Sequence, residues 1–436
     1  MWVTRFDQIE HASLTDVGVR RSHNQDSHAI QLARDDEQWH ERGHLFLVAD
    51  GMGAHAVGEK ASEQASSLIP HTYHKYVHQG PRAALRKAFI EANASIHACG
   101  QQNREFAGMG TTTTALLIRP EGAWIGHVGD SRAYRIRNGL IEQLSYDHSW
   151  VWEYARLKRI DPSEVQDIPS NVIHRCLGPE PLVQVDIEGP HPIQSGDIFV
   201  LCSDGLSGPV SDHEIGAIAS VLPPAEACRL LVDLANLRGG PDNITVVIVR
   251  IGGPSAQSNG TVVPTKGPSA FFWSALPWWP FALLIGTLLV LLAILLQVEQ
   301  RSTAAGWVFV LGSAAIVAGL AGLALHYHRE RLQAALEEEQ TPPRIHRQTP
   351  CRIEPLLLDR LIRAVRTLHQ HAVEKQWSPD WKSYEEAAAA AEALLQKGDL
   401  PGAFREYCRA LMPLTQELNR QRNKEESFQP LWDRTQ

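Results

Sequence analysis

The sequence predicts an α+β N-terminal domain, then a pair of membrane-spanning helices, then an all-helical tail. Three observations predict it. Strand-like and helix-like apolar patterns alternate over residues 1–250. Two nearly uncharged stretches follow, 271–298 and 302–325. Beyond residue 326 the apolar residues recur at helical spacing.

The composition agrees. The chain has 436 residues, about three times a ~150-residue domain. Lys and Arg total 41 against 49 Asp and Glu, a formal charge of −8. That balance argues against a strongly basic nucleic-acid-binding chain, and no nucleic-acid partner is expected. Charged residues are 21% and hydrophobic residues 44%, a composition that supports a packed core and excludes wholesale disorder. The six cysteines, at 99, 176, 202, 228, 351 and 408, form no C-x-x-C pair. This argues against a disulfide framework or a structural zinc site and for a reducing compartment. Arg5, Asp7, Glu10 and Asp16 interrupt the first twenty residues, so no signal peptide is expected.

The N-terminal region holds carboxylates at the ends of apolar runs. One run, from Leu45 to Ala49, stops at Asp50-Gly51. A second, from Ile198 to Cys202, is followed by Asp204-Gly205. Asp242 stands just before a third, which begins at Ile244. Asp130 follows Ile125-Gly-His-Val-Gly, and Asp26 lies in the polar segment 13–27. A strand inside a sheet is rigid, so a carboxylate at its end is aimed at one rim, and the following glycine frees a carbonyl to turn toward a ligand. A lone Asp-Gly is usually a plain turn; the combination carries the reading. Crowded carboxylates repel one another unless a cation sits among them. An oxygen-rich, cysteine-free set suits Mg2+ or Mn2+ rather than Zn2+. Two such ions about 3.5–4 Å apart bind a water between them and clamp a phosphoryl group for in-line attack.

The segments TDVGVRRSHNQDS, LVADGMGAHAVGEKAS, GMGTTTTALLI, HVGDSRAYRIRNG, LSYDHSWV, NVIHRCLG, SGDIFVLCSDGLSG and PDNITVVIV follow one another over residues 11–250. Together they resemble the bacterial metal-dependent serine/threonine protein phosphatases of type 2C. The resemblance implies a four-layer sandwich of two antiparallel β-sheets flanked by helices, with metals at one end between the sheets. It implies two Mn2+ or Mg2+ ions and a site for a third. Asp50 would bridge the pair and the Gly51 carbonyl would bind the second ion. Asp204 and Asp242 would hold the first, and Asp130 with Asp204 the third. Asp50, Asp204 and Asp242 would thus be the catalytic set. Arg21 would grip substrate phosphate, with the adjacent Arg20 as runner-up. Many relatives have Glu where this chain has Gln25, which leaves Asp26 as the acidic contributor. Gly53-Ala54-His55 stands in place of Gly-Gly-His, and Met52 replaces the general-acid His of eukaryotic relatives. His55 is left open between protonating the leaving group and a structural or surface role. Residues 147–178 resemble a mobile flap, whose Trp150, Trp152 and Tyr154 are expected to pack rather than to bind substrate.

Residues 251–270 are rich in Gly, Pro and Ser and read as a flexible linker. Each stretch within 271–325 is long enough to cross a bilayer core of about 30 Å. Trp278, Trp279, Trp307 and Tyr327 take interfacial positions. The short turn Glu299-Gln300-Arg301 places both flanks on one side, and Lys266, Arg329 and Arg331 make that side cytoplasmic. The expectation is a multi-pass protein of the inner membrane with domain and tail in the cytoplasm. Ala315/Gly319 and Ala318/Gly322 would allow close helix approach, or simply reflect how common small residues are there. In the tail, 326–436, Leu358, Leu361, Ile362, Val365 and Leu368 share a helical face, with Arg360, Arg363 and Arg366 opposite. That basic face is read as solvated, with anionic lipid as the alternative. Residues 384–411 read as helix, Lys-Gly-Asp turn and helix, with Pro401 opening the second; they look like one tetratricopeptide-type hairpin. The tail is expected to bind a protein partner or to regulate. The function expected is a membrane-anchored phosphatase in signal transduction, acting on phosphoserine and phosphothreonine proteins. The alternative is a catalytically weak phosphoprotein-binding scaffold, which would need a broken metal site.

Overall fold

The computed structural model describes residues 9–53, 57–102, 104–165, 168–169, 172–252, 278–298, 302–338 and 347–427. His55, Lys266, nearly all of the linker and the 299–301 turn lie outside them. The chain forms two units: the N-terminal region joined to the C-terminal segment, and the pair of apolar helices between them.

The first unit is built on two antiparallel sheets. Sheet A has the order β1 (Ile9–Asp16), β11 (Ile244–Ile251), β10 (Ile198–Cys202), β7 (Arg132–Arg137), β8 (Leu140–Gln143) and β12 (Arg347–Pro350). Sheet B has the order β2 (Asp26–Gln31), β3 (His44–Met52), β5 (Thr113–Arg119), β6 (Gly122–Val128) and β9 (Asp186–His191), with β4 (Gly110–Thr111) on β3. Antiparallel strands usually show one face to water and alternate in polarity. Here both faces of each sheet are covered, so the central strands read as continuous apolar runs. Phe46 and Val48 of β3 meet Phe199 and Leu201 of β10 and Val247 and Val249 of β11 between the sheets. The intervening residues face outward: Leu45 and Leu47 against helices on sheet B, Val200 and Val246 against helices on sheet A.

Sheet B is covered by α2 (Val57–Tyr76) and α3 (Pro81–Gln102). The short α1 (Asp36–Glu41) precedes β3, and α4 (Trp150–Lys158) follows β8. Sheet A is covered by α6 (Asp212–Val221) and α7 (Pro224–Leu237), which follow the single turn α5 (Asp204–Ser207). Ser211 and Glu214 cap α6 reciprocally, and Pro224 opens α7 where a missing N–H costs nothing.

The C-terminal segment belongs to the same unit. Strand β12 adds to the edge of sheet A beside β8. Its helices are α10 (Pro355–Glu374), α11 (Trp381–Gln396) and α12 (Leu400–Ser427). Leu358, Leu361, Val365 and Leu368 of α10 are buried in the cluster that holds Leu230 and Leu231 of α7, while Arg360, Arg363 and Arg366 are exposed. Gly398 takes φ +76° in the Lys-Gly-Asp turn, and the Asp399 carboxylate accepts from the Gly402 N–H at 3.0 Å, so the turn both ends α11 and caps α12.

The second unit consists of α8 (Trp278–Val298) and α9 (Ser302–Glu338). They pack through glycine: a Cβ on Gly286 would lie 2.7 Å from Ile316, and one on Gly319 would lie 2.7 Å from Leu283. Gly312 makes a third close approach, 3.0 Å from Val290. Of the small residues singled out on α9, Gly319 and Gly322 are buried, Ala315 is half-buried and Ala318 is exposed, and Gly312 adds a contact the sequence reading had not named. Among the described residues one segment, Gly306–Ala324, is long and apolar enough to cross a membrane; Ala282–Leu295 is apolar but shorter.

Candidate active site

Strand register brings the first two carboxylates together. Asp26 opens β2 and lies directly across from Asp50 near the end of β3. The backbone of Asp50 is pinned by the threonine run: its N–H donates to Thr112 Oγ1 at 3.2 Å, and its carbonyl accepts from the Thr112 N–H at 2.8 Å and the Thr111 hydroxyl at 2.9 Å. Asp204 follows β10 in sheet A, and Asp242 precedes the neighbouring β11. Asp130 sits in the turn by which the chain leaves β6 of sheet B for β7 of sheet A. Five elements from both sheets thus deliver their acids to one end of the sandwich.

The glycines after these acids also answer a need for space. Neither Gly51 nor Gly205 has a positive φ. A Cβ on Gly51 would lie 2.1 Å from the Gly58 carbonyl oxygen, and one on Gly205 would lie 1.9 Å from that of Asn243. Glycine is needed for space: it lets α2 seat on the end of β3, and lets the Asp204 turn press against the Asp242 loop.

The electrostatics show an unneutralised cluster. Loss of hydration, then the charge of Asp204 and Asp242, pushes Asp26 up to about 7. Burial and the Asp204 and Asp147 charges push Asp130 up to about 8. Burial and the Asp26, Asp204, Asp130 and Asp242 charges hold Asp50 well above the usual carboxylate range. Asp204 is raised by burial and by Asp242, and lies within hydrogen-bond reach of Asp50. Asp26 Oδ2 accepts from the Ser203 hydroxyl at 2.8 Å, but among the described residues Asp26 Oδ1 and Asp204 Oδ1 are buried with no hydrogen-bond donor. Buried carboxylate oxygens of this kind are costly unless they face a cation. The chemistry of these oxygen donors therefore suits hard divalent ions, while among the described residues no three acidic, His or Cys side chains are already closed into a metal-ligating group.

Arg21 reaches this centre, its Nη2 donating to Asp242 Oδ2 at 2.7 Å while about half of its side chain stays exposed. Arg20, the runner-up, makes no such contact and is exposed.

The protein phosphatase 2C family profile matches residues 19–230. The serine/threonine phosphatase stp of Listeria monocytogenes is 34% identical over 241 residues, 54% of this chain and 93% of the relative. The protein phosphatase PhpP of Streptococcus pneumoniae is 35% identical over 257 residues, 57% of this chain and 100% of the relative. Among solved structures, the Mycobacterium tuberculosis serine/threonine phosphatase PstP/Ppp superposes with TM-score 0.50 at 33% identity, over 56% of this chain and 99% of that one. The S. agalactiae serine/threonine phosphatase gives TM-score 0.51 at 32% identity, over 56% and 99%. This chain belongs to the protein phosphatase 2C family. It is a serine/threonine protein phosphatase of that type.

Several residues that support this phosphatase's centre carried no role in the sequence reading. Asn243 staples loop to loop: its Oδ1 accepts from the Gln25 N–H at 2.8 Å, and its Nδ2 donates to the carbonyls of Val17 at 2.8 Å and His23 at 2.9 Å. His148 Nδ1 accepts from the Gly129 N–H at 3.0 Å, so its Nε2 carries the proton toward Asp186, 2.7 Å away. That holds the turn just before Asp130. Arg132 donates to Asp147, the first residue of the flap segment, at 2.9 Å. These side chains stand inside or beside the quoted motifs PDNIT, LSYDHSWV and HVGDSRAYRIRNG, and adjacency to an acid was their only visible signal. The flap aromatics divide: Trp152 is buried against Tyr146, as expected, whereas Trp150 and Tyr154 are exposed.

Proposed function

We propose that this phosphatase hydrolyses phosphoserine and phosphothreonine in proteins at a binuclear Mn2+ or Mg2+ centre. Asp26, Asp50, Asp204 and Asp242, with the Gly51 carbonyl, would hold the pair, and Asp130 with Asp204 a third ion. The observation that carries the reading is the convergence of buried and half-buried acids, two of whose carboxylate oxygens have no hydrogen-bond partner among the described residues. Bound divalent ions would supply positive charge against the phosphoryl oxygens and acidify the attacking water. The chain's own residues then do the positioning. Asp26 and Asp50, fixed by strand register, hold one side; Asp204 and Asp242, pressed together across Gly205, hold the other. Arg21 spends one of its five N–H donors on Asp242 and keeps the rest for a phosphate oxygen. The scaffold alternative would require a broken acid set, and the sequence retains every member of it.

We further propose that α8 and α9 form a membrane hairpin, with domain and tail in the cytoplasm. Support comes from side chains such as Leu284, Trp307, Leu311 and Val317, which are more than half exposed on the helix pair and would be costly to hydrate.

The test of the catalytic reading is turnover of p-nitrophenyl phosphate and a phosphothreonine peptide by the full chain in detergent with Mn2+. Asp50→Asn and Asp204→Asn should each lose about a thousandfold, the scale on which charge-stabilising groups act. Near-normal rates in both would refute the metal assignment.

A further inference from the structure

The acidic centre shares a groove with the C-terminal segment. The groove, about 420 Å3, is lined by Asp130 and Asp204, by Trp152 of α4, by Asp212 of α6, and by Arg347 and Thr349 of β12. The wall that β12 forms is built in. It pairs with β8 from Arg347 opposite Gln143 to Pro350 opposite Leu140. The Cys351 N–H donates to the Gly139 carbonyl at 2.9 Å, and His213 Nδ1 meets the Pro350 carbonyl at 2.6 Å. Behind the sheet, buried Asp233 of α7 accepts from Thr415 at 2.8 Å and from Asn419 at 3.1 Å, both on α12.

In this wall Arg347 is a cation with unspent donors. Its nearest carboxylates are Asp161 at 3.5 Å and Asp212 at 3.9 Å. Asp212 already accepts from the Tyr134 hydroxyl at 2.9 Å and lies 3.7 Å from Arg132. Arg137, by contrast, grips Asp197 through two contacts of 2.6 Å. Among the described residues the remaining partner of Arg347 is the Trp152 ring, 6.0 Å from its guanidinium carbon. The side chain is 31% exposed. A planar fork of five N–H donors, with only long ion pairs and no acceptor at normal hydrogen-bond distance among the described residues, is suited to a bidentate anion.

We propose that β12 is a wall of the substrate groove and that Arg347 sets specificity by pairing with an anionic side chain flanking the target phosphoresidue. That anion is a carboxylate or a second phosphoryl group. The proposal rests on the phosphatase reading above and deepens it by naming the substrate class.

The experiment compares wild type, Arg347→Ala and Arg347→Lys as full chains in Mn2+. The substrates are p-nitrophenyl phosphate and three phosphothreonine peptides, flanked by Ala, by Glu or by phosphoserine. Arg347→Ala should lose about five- to tenfold in kcat/KM on an anion-flanked peptide, through KM, as a partly exposed charge-assisted pair implies. Turnover of p-nitrophenyl phosphate and of the Ala-flanked peptide should not change. Arg347→Lys should recover part of the loss. A larger loss with Glu assigns the carboxylate; a larger loss with phosphoserine assigns the phosphoryl group. Equal change on all four substrates, or no change on any, overturns the assignment. Failure of wild type to turn over p-nitrophenyl phosphate would instead refute the phosphatase reading itself.

Discussion

The two outer faces of the sandwich are closed by different parts of the chain. Sheet B is covered by α2 and α3, which come between its own strands. Sheet A is covered by α6 and α7, and behind them by α10 and α12, which arrive only after the apolar helix pair. The relatives match little more than half of this chain along nearly their whole length. The second cover therefore has no counterpart in the matched length of those two relatives. The difference teaches that a layer can cover the back of one sheet while the acids stay gathered at the sandwich end.

The largest expected effect tests whether the added cover is as integral as the old one. Phe89 of α3 and Leu411 of α12 are both fully buried. Truncation to Ala should cost about 3–5 kcal/mol at Phe89 and about 2–5 kcal/mol at Leu411. If the covers are equivalent, denaturant titrations in detergent, followed by circular dichroism and by activity, show one transition moved to lower denaturant in both variants. A separate early transition in Leu411→Ala, with activity surviving it, would make the tail an independent lobe.

A second test separates buried acids by what relieves them. Without metal, Asp26 titrates near 7 and Asp130 near 8, against about 4 in an unfolded chain. Between those values the folded protein holds more protons than the unfolded one, so stability falls as pH rises from about 4 to 8. Divalent ions replace those protons, and saturating Mn2+ should flatten the fall. Asp233, under the tail, is pushed up to about 6 chiefly by burial, with Thr415 and Asn419 opposing. No ion is expected there. Its share, about 3 kcal/mol lost between roughly pH 4 and 6, should persist in Mn2+ and vanish in Asp233→Asn. Melting temperature against pH, with and without Mn2+, reads both. A slope untouched by Mn2+ would count against the metal centre, and one fully erased by it would leave Asp233 without a role.

The same comparison shows what was legible in the sequence. Asp50, Asp130, Asp204 and Asp242 stood out because each sits where an apolar run meets a turn, a pattern carried by a few adjacent residues; Asp26, in a polar segment, stood out only through the family resemblance. Asn243, His148 and Ser203 did not, because their value lies in partners far along the chain. Gly51 and Gly205 were recognised as special, but not for their need of space: the sequence cannot show that a backbone carbonyl lies where a methyl would go. In α10, the stripe from Leu358 to Leu368 announced a buried face, but periodicity says only that something covers it. Its target, the helices behind sheet A, depends on shape rather than pattern. The four-residue β12 was too short to register at all.

The smallest expected effect probes one contact at each cover. A methyl on Gly126 of β6 would meet the ends of flexible side chains, Phe89 at 2.9 Å and Leu85 at 3.0 Å. A methyl on Gly216 of α6 would meet the Cys351 Cβ at 2.5 Å, next to the backbone of the tail. Side-chain ends can swing aside; a Cβ moves only with its chain. Overpacking costs about 1–3 kcal/mol, while Ala in place of helical Gly regains up to about 1 kcal/mol. Gly216→Ala should therefore destabilise by about 1–2 kcal/mol net and displace β12. Its own signature is a loss of discrimination between anion-flanked and Ala-flanked peptides, with p-nitrophenyl phosphate turnover unchanged. Cys351→Gly on that background removes the opposing Cβ and should restore discrimination. Gly126→Ala should shift the melting temperature without touching peptide choice. If both glycine variants alter selectivity alike, the groove wall is not specific to the tail, and the distinction between the two covers fails at the level of function.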